Sequence, residues 1–325
     1  MSHRRLSFVK VSVVSALLLA MAAVNAYAGW NWLKDTTGPA LEAKYLYIKP
    51  GSGLIRIAWL AEQEGLVRDS RYFRLLATLR GDESALKAGE YKIPPGTSLD
   101  SLISTIVDGK AFQRSITVPE GLSSIEIYTL VKSTEFLVDD INFAPAEGTV
   151  MPDTWNYARG DRASGLIRRM QSAQQRFLKE VGHEGFNNFD ELVTFASIIE
   201  KETGESGERS LVSAVFHNRL KRGMRLQSDP TIIYGITGGE KLGRPIRRSD
   251  IRANTPYNTY VIKGLPPTPI ANPGRDAIRA ALNPAAVDYL YFVASGDGGH
   301  RFANTLEAHN QNVALWRKFE RANQR

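Results

Sequence analysis

The strongest constraint on the fold is a run of uncharged residues near the amino terminus. Residues 11–33 carry no charged side chain until Lys34, and Arg4, Arg5 and Lys10 precede them as a basic leader. A run of this length is enough to cross a membrane, and the basic end is expected to stay in the cytoplasm. The remainder of the chain is therefore predicted to lie on the other side of the membrane.

Two interpretations of residues 1–33 stay open. Trp30 and Trp32 follow the apolar run as an interfacial aromatic belt would, which favours a retained anchor. The Ala-Tyr-Ala sequence at residues 26–28 resembles an A-x-A cleavage site, which favours a cleaved signal peptide. Both interpretations place the bulk of the protein across the membrane.

Composition excludes several kinds of chemistry. The 325 residues are enough for two domains with a sizeable core, and the chain has no cysteine, which excludes disulfides and thiolate nucleophiles. The net charge of +7 is scattered. The arginine pairs at residues 168–169 and 247–248 are short and lack interleaved aromatic residues, so they are interpreted as solvated faces, suited to an anionic polymer or lipid. No nucleic-acid partner is predicted, since one would require a cytosolic location.

Residues 41–111 predict a small α/β module. The pattern predicts strands at 45–48 and 87–93, helices at 54–63 and 70–80, and a last helix capped by Thr97. The strings IKPGSGLIRIAWLAEQEGLV and LKAGEYKIPPGTSLDSLISTIVDGKA resemble the pieces of a LysM-like module. Such modules bind glycans that contain N-acetylglucosamine. The alternative is a structural spacer that holds the rest of the chain off the membrane.

The clearest acid–base candidate is the stretch at residues 196–205, which reads ASIIEKETGE. Asn188 is placed to cap a helix, and Glu191 three residues later to complete a capping box. Apolar residues then recur with the spacing of a buried helical face. They are Leu192, Phe195, Ala196 and Ile199. Thr203 and Gly204 are predicted to end the helix.

Glu200 and Glu202 fall on the two flanks of this apolar face, and Lys201 points away from it. A carboxyl group against apolar neighbours is partly desolvated, which raises its pKa and suits a general acid. Both glutamates have apolar neighbours on their flank, so the spacing does not choose between them. The alternative is a solvated helix end, in which the acids and the lysine only keep the surface soluble.

A proline-rich segment is the best candidate for a binding groove. Five prolines lie between Pro256 and Pro273, which predicts a rigid loop. Within it, Tyr257, Asn258 and Tyr260 bring amide, hydroxyl and aromatic groups together, as a sugar-binding groove requires. The alternative for the tyrosines is core packing.

The histidines do not indicate a metal site. They lack the spacing of motifs such as H-E-x-x-H, and no cysteine is available. His300 is instead predicted to be presented by a turn at residues 297–300, after a buried strand at 289–294. The sequence therefore predicts neither a metal nor a cofactor.

Several long strings match one known family together and in order. They are ASIIEKET, MRLQSDPTIIYG, TPYNTY, GLPPTPIANPG and YLYFVASGDGGHRF. In these strings the chain resembles the YceG-like, MltG-type endolytic murein transglycosylases, and the likeness extends through the LysM-like module and the anchor. The departures lie chiefly at residues 147–155 and 237–248, and they concern fine substrate preference.

The resemblance implies an α+β fold in three parts. These are an N-terminal membrane anchor at residues 1–33, a small LysM-like α/β module at 41–111, and a mixed α+β YceG-like catalytic domain at 112–325. It also implies the bacterial inner membrane as the location, with a single span and the catalytic domain in the periplasm. The implied partners are peptidoglycan glycan strands and, as candidates, the peptidoglycan synthases known as penicillin-binding proteins.

The reaction implied by the resemblance is cleavage of the bond between N-acetylmuramic acid and N-acetylglucosamine inside nascent strands, without water. It leaves 1,6-anhydro ends and limits strand elongation. The family's catalytic glutamate falls on Glu200, as general acid and then base, and Glu202 is a candidate for tuning Glu200 or binding sugar. The candidates for gripping the glycan are Gln227, Asp229, Tyr257, Asn258, Tyr260, Asn272 and His300. The alternative from another class is a non-catalytic, membrane-tethered scaffold that binds peptidoglycan.

Overall fold

The chain divides into two compact units, residues 1–114 and 115–325. The computed structural model describes residues 2–296 and 298–323, and the side chains of residues 2–12, 206 and 323 lie outside that description. Both units combine helices with short strands in two-stranded sheets, which confirms the predicted α+β class.

The amino-terminal element is a single helix, α1 (Ser2–Asp35). Its segment Val13–Asp35 is long and apolar enough to cross a membrane, in agreement with the sequence. The end of α1 belongs to the first unit, because Leu33 is only 5% exposed and Trp30 packs against the same core. The helix therefore runs without a break from the candidate span into the folded unit.

The first unit follows the order strand, helix, helix, strand, helix. Its elements are β1 (Lys44–Ile48), α2 (Leu54–Gln63), α3 (Ser70–Arg80), β2 (Gly89–Ile93) and α4 (Leu99–Asp108). The strands pair antiparallel, with Leu46 opposite Tyr91, and both of these side chains are fully buried. The bounds of α2 and α3 agree with the sequence-based prediction.

The start of α4 differs by one residue from the prediction. Ser98 is the N-cap, and its hydroxyl accepts a hydrogen bond from the backbone N–H of Ser101 at 3.3 Å. Thr97, which was predicted to cap the helix, donates its hydroxyl to the carbonyl of Pro94 at 2.7 Å. Thr97 thus closes the preceding turn, and the neighbouring serine caps the helix.

The second unit holds most of the helices. Its elements begin with β3, whose first residue is the last of the first unit. In chain order they are β3 (Arg114–Thr117), α5 (Ser124–Lys132), β4 (Thr154–Tyr157), α6 (Ala163–Val181), α7 (Phe189–Glu202), α8 (Arg209–Lys221), α9 (Asp229–Thr237), α10 (Arg248–Arg252), α11 (Arg275–Leu282), β5 (Tyr291–Ala294), β6 (His300–Ala303) and α12 (Leu306–Asn323). One apolar core surrounds α7, and a second lies under β3, α5 and α6.

Helix α7 is central to the second unit, since it packs against α8, α9 and α11. The predicted cap is confirmed, because the Asn188 side chain accepts from the backbone N–H of Glu191 at 2.8 Å. The Glu191 carboxylate reaches one residue further back, to the N–H of Asn187 at 2.6 Å. All residues from 192 to 199 are buried, so the helix is enclosed until it reaches its two terminal glutamates.

Strands β5 and β6 form an antiparallel hairpin near the carboxyl terminus. The sequence predicted a buried strand at residues 289–294. The observed strand is shorter and only half-buried, because a two-stranded hairpin offers few neighbours to cover its faces. The predicted turn at 297–300 includes Asp297, which lies outside the described residues.

Candidate functional site

The end of α7 presents Glu200 and Glu202 to two different surroundings. Two positions along a helix correspond to a rotation of about 200°, so the two carboxyl groups leave opposite flanks. Glu200 faces α8 and the loop before α11. Glu202 faces the start of α9 and Arg219 of α8. The predicted flanking arrangement therefore places the two acids in separate parts of the site.

Glu200 is held by two donors. Its Oε2 accepts a hydrogen bond from the backbone N–H of Gly274 at 2.9 Å, and its Oε1 lies 3.4 Å from the Nη2 atom of Arg209. The side chain is only 6% exposed. A main-chain N–H and a guanidinium both stabilise negative charge on a carboxylate. Glu200 is thus fixed in direction at the point where the buried helix meets the surface.

Glu120 shares the same arginine. Its Oε2 lies 3.3 Å from Arg209 Nη2, and its side chain is 44% exposed. Partial burial, and then the charge of Glu200, raise the pKa of Glu120, while Arg209 opposes the rise. A Cβ atom on Gly274 would overlap the Glu120 carboxyl group, so the glycine leaves the space that this group fills. The site therefore contains a second carboxyl group that the sequence analysis missed.

Arg209 and Glu120, the two residues that the sequence analysis missed, have only weak local signals in the sequence. Arg209 opens α8, where the positive end of the helix dipole disfavours a cation, so a compensating carboxylate could have been sought. Glu120 lies in the sequence Val-Pro-Glu-Gly at residues 118–121, whose proline and glycine are typical of a turn. The contact between them spans 89 residues, and no spacing rule connects positions so far apart.

Backbone contacts fix this turn against α7 and the proline-rich loop. The Lys201 ammonium donates to the carbonyl of Gly121 at 3.0 Å. The N–H of Gly121 donates to the carbonyl of Asn272 at 3.0 Å, and the N–H of Asn272 donates to the carbonyl of Leu122 at 2.9 Å. Lys201 is exposed, as predicted, yet it ties two segments together.

Glu202 is a buried carboxyl group on the other side of α7. Burial, reinforced by the charge of Asp229, raises its pKa to about 7, while Ser228 and Arg219 act in the opposite direction. Its carboxyl group is thus poised to exchange a proton near neutral pH. Burial is the main cause of the raised pKa, and the groups that act on Glu202 are the polar side chains of Ser228, Asp229 and Arg219.

Three of the predicted glycan-gripping residues gather on the Glu202 side. The hydroxyl of Tyr260 donates to Asp229 Oδ1 at 2.7 Å. Gln227 has a positive φ of 54° and its side-chain oxygen lies 3.4 Å from Arg219 Nη1. Strained backbone at a non-glycine residue is typical of functional sites. Gln227, Asp229 and Tyr260 therefore form one polar cluster beside Glu202.

The other loop residues are committed to holding the loop. The amide of Asn258 is buried and donates to three backbone carbonyls, those of residues 250, 251 and 253. Asn272 is fully buried and donates to Glu147 Oε1 at 2.9 Å, while its Oδ1 accepts from the N–H of Val150 at 3.0 Å. The hydroxyl of Tyr257 bonds to Thr268 at 2.8 Å. In this conformation the two asparagine amides face the protein and not the solvent.

His300 lies on β6 and contacts neither glutamate of α7 within the described hydrogen bonds. Its Nδ1 lies 2.6 Å from Glu208 Oε2, and its backbone N–H donates to Glu208 Oε1 at 2.8 Å. The histidine is therefore tied to the segment just before α8. No group of three or more potential metal ligands occurs among residues 2–296 and 298–323.

The second unit also contains a groove that Lys201 helps to line. It has a volume of about 330 Å³ and runs between α5, α9 and the segment after α9. Its lining includes Ser123, Glu126, Lys201, Tyr234 and Ile270. Lys201 is the residue of α7 that lines this groove.

Comparisons with known proteins show which family the chain is similar to. A profile of the YceG-like family matches residues 46–315. A Bacillus subtilis protein named endolytic murein transglycosylase is 31% identical over 301 residues, which cover 81% of this chain and 82% of that protein. A Streptococcus pneumoniae protein of the same name is 28% identical, over 95% of this chain and 65% of its own length. A Listeria monocytogenes crystal structure titled as a YceG-like protein superposes with a TM-score of 0.52 at 28% identity, covering 84% of this chain and 99% of that one.

These matches extend over most of both units and confirm the resemblance predicted from the sequence. The family profile alone includes α7 with Glu200, the turn with Glu120 and the loop that ends at Gly274. The structural match covers nearly the whole of the Listeria chain. The chain therefore belongs to the YceG-like family.

Proposed function

We propose that the protein is an endolytic lytic transglycosylase, a lyase that cuts peptidoglycan glycan strands internally. The bond cut is the one between N-acetylmuramic acid and N-acetylglucosamine, and the product carries a 1,6-anhydro end. Family membership and the names of the Bacillus and Streptococcus relatives support this activity. The observation that carries the proposal is the fixed carboxyl group of Glu200 at the exposed end of a buried helix.

Water is not required as a reactant in this reaction. The C6 hydroxyl of the muramic sugar attacks C1 of the same sugar, so the nucleophile is already in place and gains the advantage of an intramolecular reaction. A hydrolase needs a second carboxyl group to activate water or to form a glycosyl-enzyme. A single glutamate suffices for the intramolecular route.

Glu200 would supply both proton transfers. Its protonated carboxyl group donates to the glycosidic oxygen as the bond from C1 to that oxygen breaks. As the C6 oxygen bonds to C1, the resulting carboxylate accepts the C6 hydroxyl proton. The proton count of Glu200 is the same before and after the reaction. The N–H of Gly274 keeps the carboxyl group oriented through both steps.

The polar cluster of Gln227, Asp229 and Tyr260 would bind the glycan by hydrogen bonds. Asp229 and Tyr260 offer an acceptor and a hydroxyl at one place, and Gln227 offers an amide. Hydroxyl and N-acetyl groups of sugars suit such partners. Glu202, with its pKa near 7, can either bind a hydroxyl or donate to one. Asn258 and Asn272 would support the loop from within.

The amino-terminal helix would anchor the protein in the bacterial inner membrane. Its apolar segment is long enough to span the bilayer, and the basic leader would keep its start in the cytoplasm. Both units would then face the periplasm, where nascent strands and their synthases are found. Cutting those strands would limit their elongation.

The first unit would act as the LysM-like module. Its strand–helix–helix–strand order and its antiparallel strand pair support that assignment. Whether it binds glycan or serves as a spacer is decided by measuring the affinity of the whole chain for glycan strands before and after substitutions on this unit.

The test is product analysis. The full chain in detergent is incubated with uncross-linked glycan strands, beside Glu200→Gln and a control, Glu180→Gln, at an exposed position of α6. We expect anhydromuramic ends from the wild type and the control by mass spectrometry, and none from Glu200→Gln. Reducing ends would indicate hydrolysis. Binding without new ends would indicate a non-catalytic scaffold.

A further inference from the structure

Two carboxyl groups at the site depend on one cation. Arg209 Nη2 lies 3.3 Å from Glu120 and 3.4 Å from Glu200, and both distances are long for a charge-assisted hydrogen bond. The arginine side chain is 11% exposed, and its Nε atom is buried without a hydrogen-bond partner in the described structure. Arg209 therefore contacts both carboxyl groups and forms a short hydrogen bond with neither of them.

The position of Glu120 is built into the fold. Its side chain occupies the space that Gly274 leaves by lacking a Cβ atom, and the same glycine donates its N–H to Glu200. The next residue, Gly121, has a φ of 75°, a value that favours glycine. The carbonyl of Gly121 accepts a hydrogen bond from the ammonium group of Lys201. The contacts of Gly121 and Gly274 thus hold the Glu120 side chain next to Glu200.

The other charged groups around the pair do not replace Arg209. Arg275 lies near Glu120 but is paired with Asp153 at 2.9 Å. Asp276 adds a further negative charge to the surroundings of Glu120. The ammonium group of Lys201 donates its hydrogen bond to the carbonyl of Gly121. Among these groups, the two carboxyl groups and one guanidinium leave a net negative charge that favours uptake of a proton.

We propose that Glu120 is a positioning residue that competes with Glu200 for Arg209, so that Glu200 can carry the proton required by the leaving oxygen. This inference rests on the proposed transglycosylase function. In the form that reacts, the pair of carboxyl groups holds one proton on Glu200, and Arg209 pairs with the ionised Glu120. When Glu200 gives its proton to the glycosidic oxygen, Arg209 turns to the new carboxylate. When Glu200 takes the C6 hydroxyl proton, Arg209 returns to Glu120.

The exchange needs little movement, because one nitrogen already contacts both carboxyl groups. It also explains why a cation lies beside a residue that must act as an acid. An arginine with Glu200 as its sole partner would hold that group ionised. With Glu120 present, the same arginine stabilises whichever carboxyl group is charged at each step.

The first test is the isosteric variant Glu120→Gln in the full chain, with kcat and KM for glycan strands measured from pH 5 to pH 9. Without the Glu120 carboxylate, Arg209 pairs with Glu200 alone and stabilises its ionised form. The alkaline limb of the kcat profile should therefore move to lower pH. We expect kcat to fall about tenfold or more near pH 7, and most of it to return near pH 5, with KM little changed. A loss of the same factor at every pH would contradict the inference.

The second test is Arg209→Gln, which removes the cation from both acids. The inference expects the alkaline limb to move in the opposite direction, to higher pH. A shift of both single variants in the same direction, or of neither, would overturn it. Because Glu120 is partly exposed and glutamine has the same shape, the folded state of Glu120→Gln is expected to persist, and Arg209→Gln provides an independent answer if it does not.

Failure of this inference can be told apart from failure of the proposed function. If the wild type forms no anhydro ends, or if Glu200→Gln still forms them, the proposed function itself fails. If both behave as proposed and the profiles of the two single variants do not shift, only the competition for Arg209 is refuted.

Discussion

The backbone N–H of Gly274 donates a 2.9 Å hydrogen bond to Glu200, and the carboxyl group of Glu120 fills the space beside the same glycine. One residue without a side chain thus contacts both Glu200 and Glu120. Gly274 is also the N-cap of α11, with a φ of −73° that any residue can adopt. Its requirement for glycine is therefore steric and concerns the site.

Gly274→Ala is expected to lower activity by about tenfold or more, because its Cβ would displace the Glu120 carboxyl group and strain the hydrogen bond to Glu200. The measurement is kcat for release of anhydro ends. Gly53→Ala is the matched control, since Gly53 is also an N-cap with similar backbone angles but has open space around its Cβ position. Equal effects of the two substitutions would show that the site does not need the glycine.

Asn272→Ala is expected to reduce stability by about 2–4 kcal/mol. The substitution leaves the N–H of Val150 without its acceptor and takes a donor from Glu147, whose pKa is already raised by burial. The measurement is urea-induced unfolding of the second unit, with KM for glycan strands determined under conditions where the variant is folded. A raised KM with unchanged stability would instead place Asn272 in contact with the sugar.

Local structure was largely predictable from the sequence. The bounds of α2 and α3 and the cap at Asn188 follow from apolar periodicity and capping residues, both of which act within a few positions of the chain. The opposite directions of Glu200 and Glu202 follow from helix geometry alone. The buried strand at 289–294 was wrong in extent, since periodicity does not show how many neighbouring strands will cover it.

The composition of the site was only partly predictable. The roles of Glu120 and Arg209 depend on the approach of segments 89 residues apart, for which a single sequence gives no signal. The asparagines of the proline-rich loop illustrate the converse difficulty. An amide in a polar loop suits sugar binding, but the same donors also satisfy backbone carbonyls inside the loop, as Asn258 does three times.

Glu202 is expected to make stability fall as the pH rises. Its pKa is raised from 4.5 to about 7, chiefly by burial, so between these values the folded state holds a proton that the unfolded chain has released. The stability associated with this proton is present in full below pH 4.5 and is lost as the pH passes 7. Relative to Glu202→Gln, the wild type should lose up to about 3 kcal/mol between pH 4.5 and pH 8.

The measurement for Glu202 is the free energy of unfolding at several pH values for the wild type, Glu202→Gln and Glu180→Gln. The last variant changes an exposed glutamate on α6 and should follow the wild type. Parallel stability curves for all three proteins would show that the Glu202 carboxyl group is not desolvated in the folded state.

Leu33→Ala is expected to destabilise the first unit, although residue 33 lies within the candidate membrane span. The Leu33 side chain is 5% exposed and packs in the core formed by α2, α3, α4 and the two strands, so its removal leaves a cavity that costs about 2–4 kcal/mol. Leu41→Ala, at a leucine of the same unit that is 92% exposed, is the control. Hydrogen exchange of the β2 amides in detergent should increase for Leu33→Ala and not for Leu41→Ala.

The same packing predicts where a soluble chain can begin. Cleavage after the Ala-Tyr-Ala sequence at residues 26–28 would retain Trp30 and Leu33, and with them the contacts of the last turns of α1. A chain that begins at Lys34 loses both side chains. It should therefore unfold in its first unit at lower urea concentration than a chain that begins at Gly29. Equal unfolding midpoints for the two chains would show that the end of α1 contributes nothing to the stability of this core. In that case Leu33→Ala should not change the hydrogen exchange of the β2 amides either.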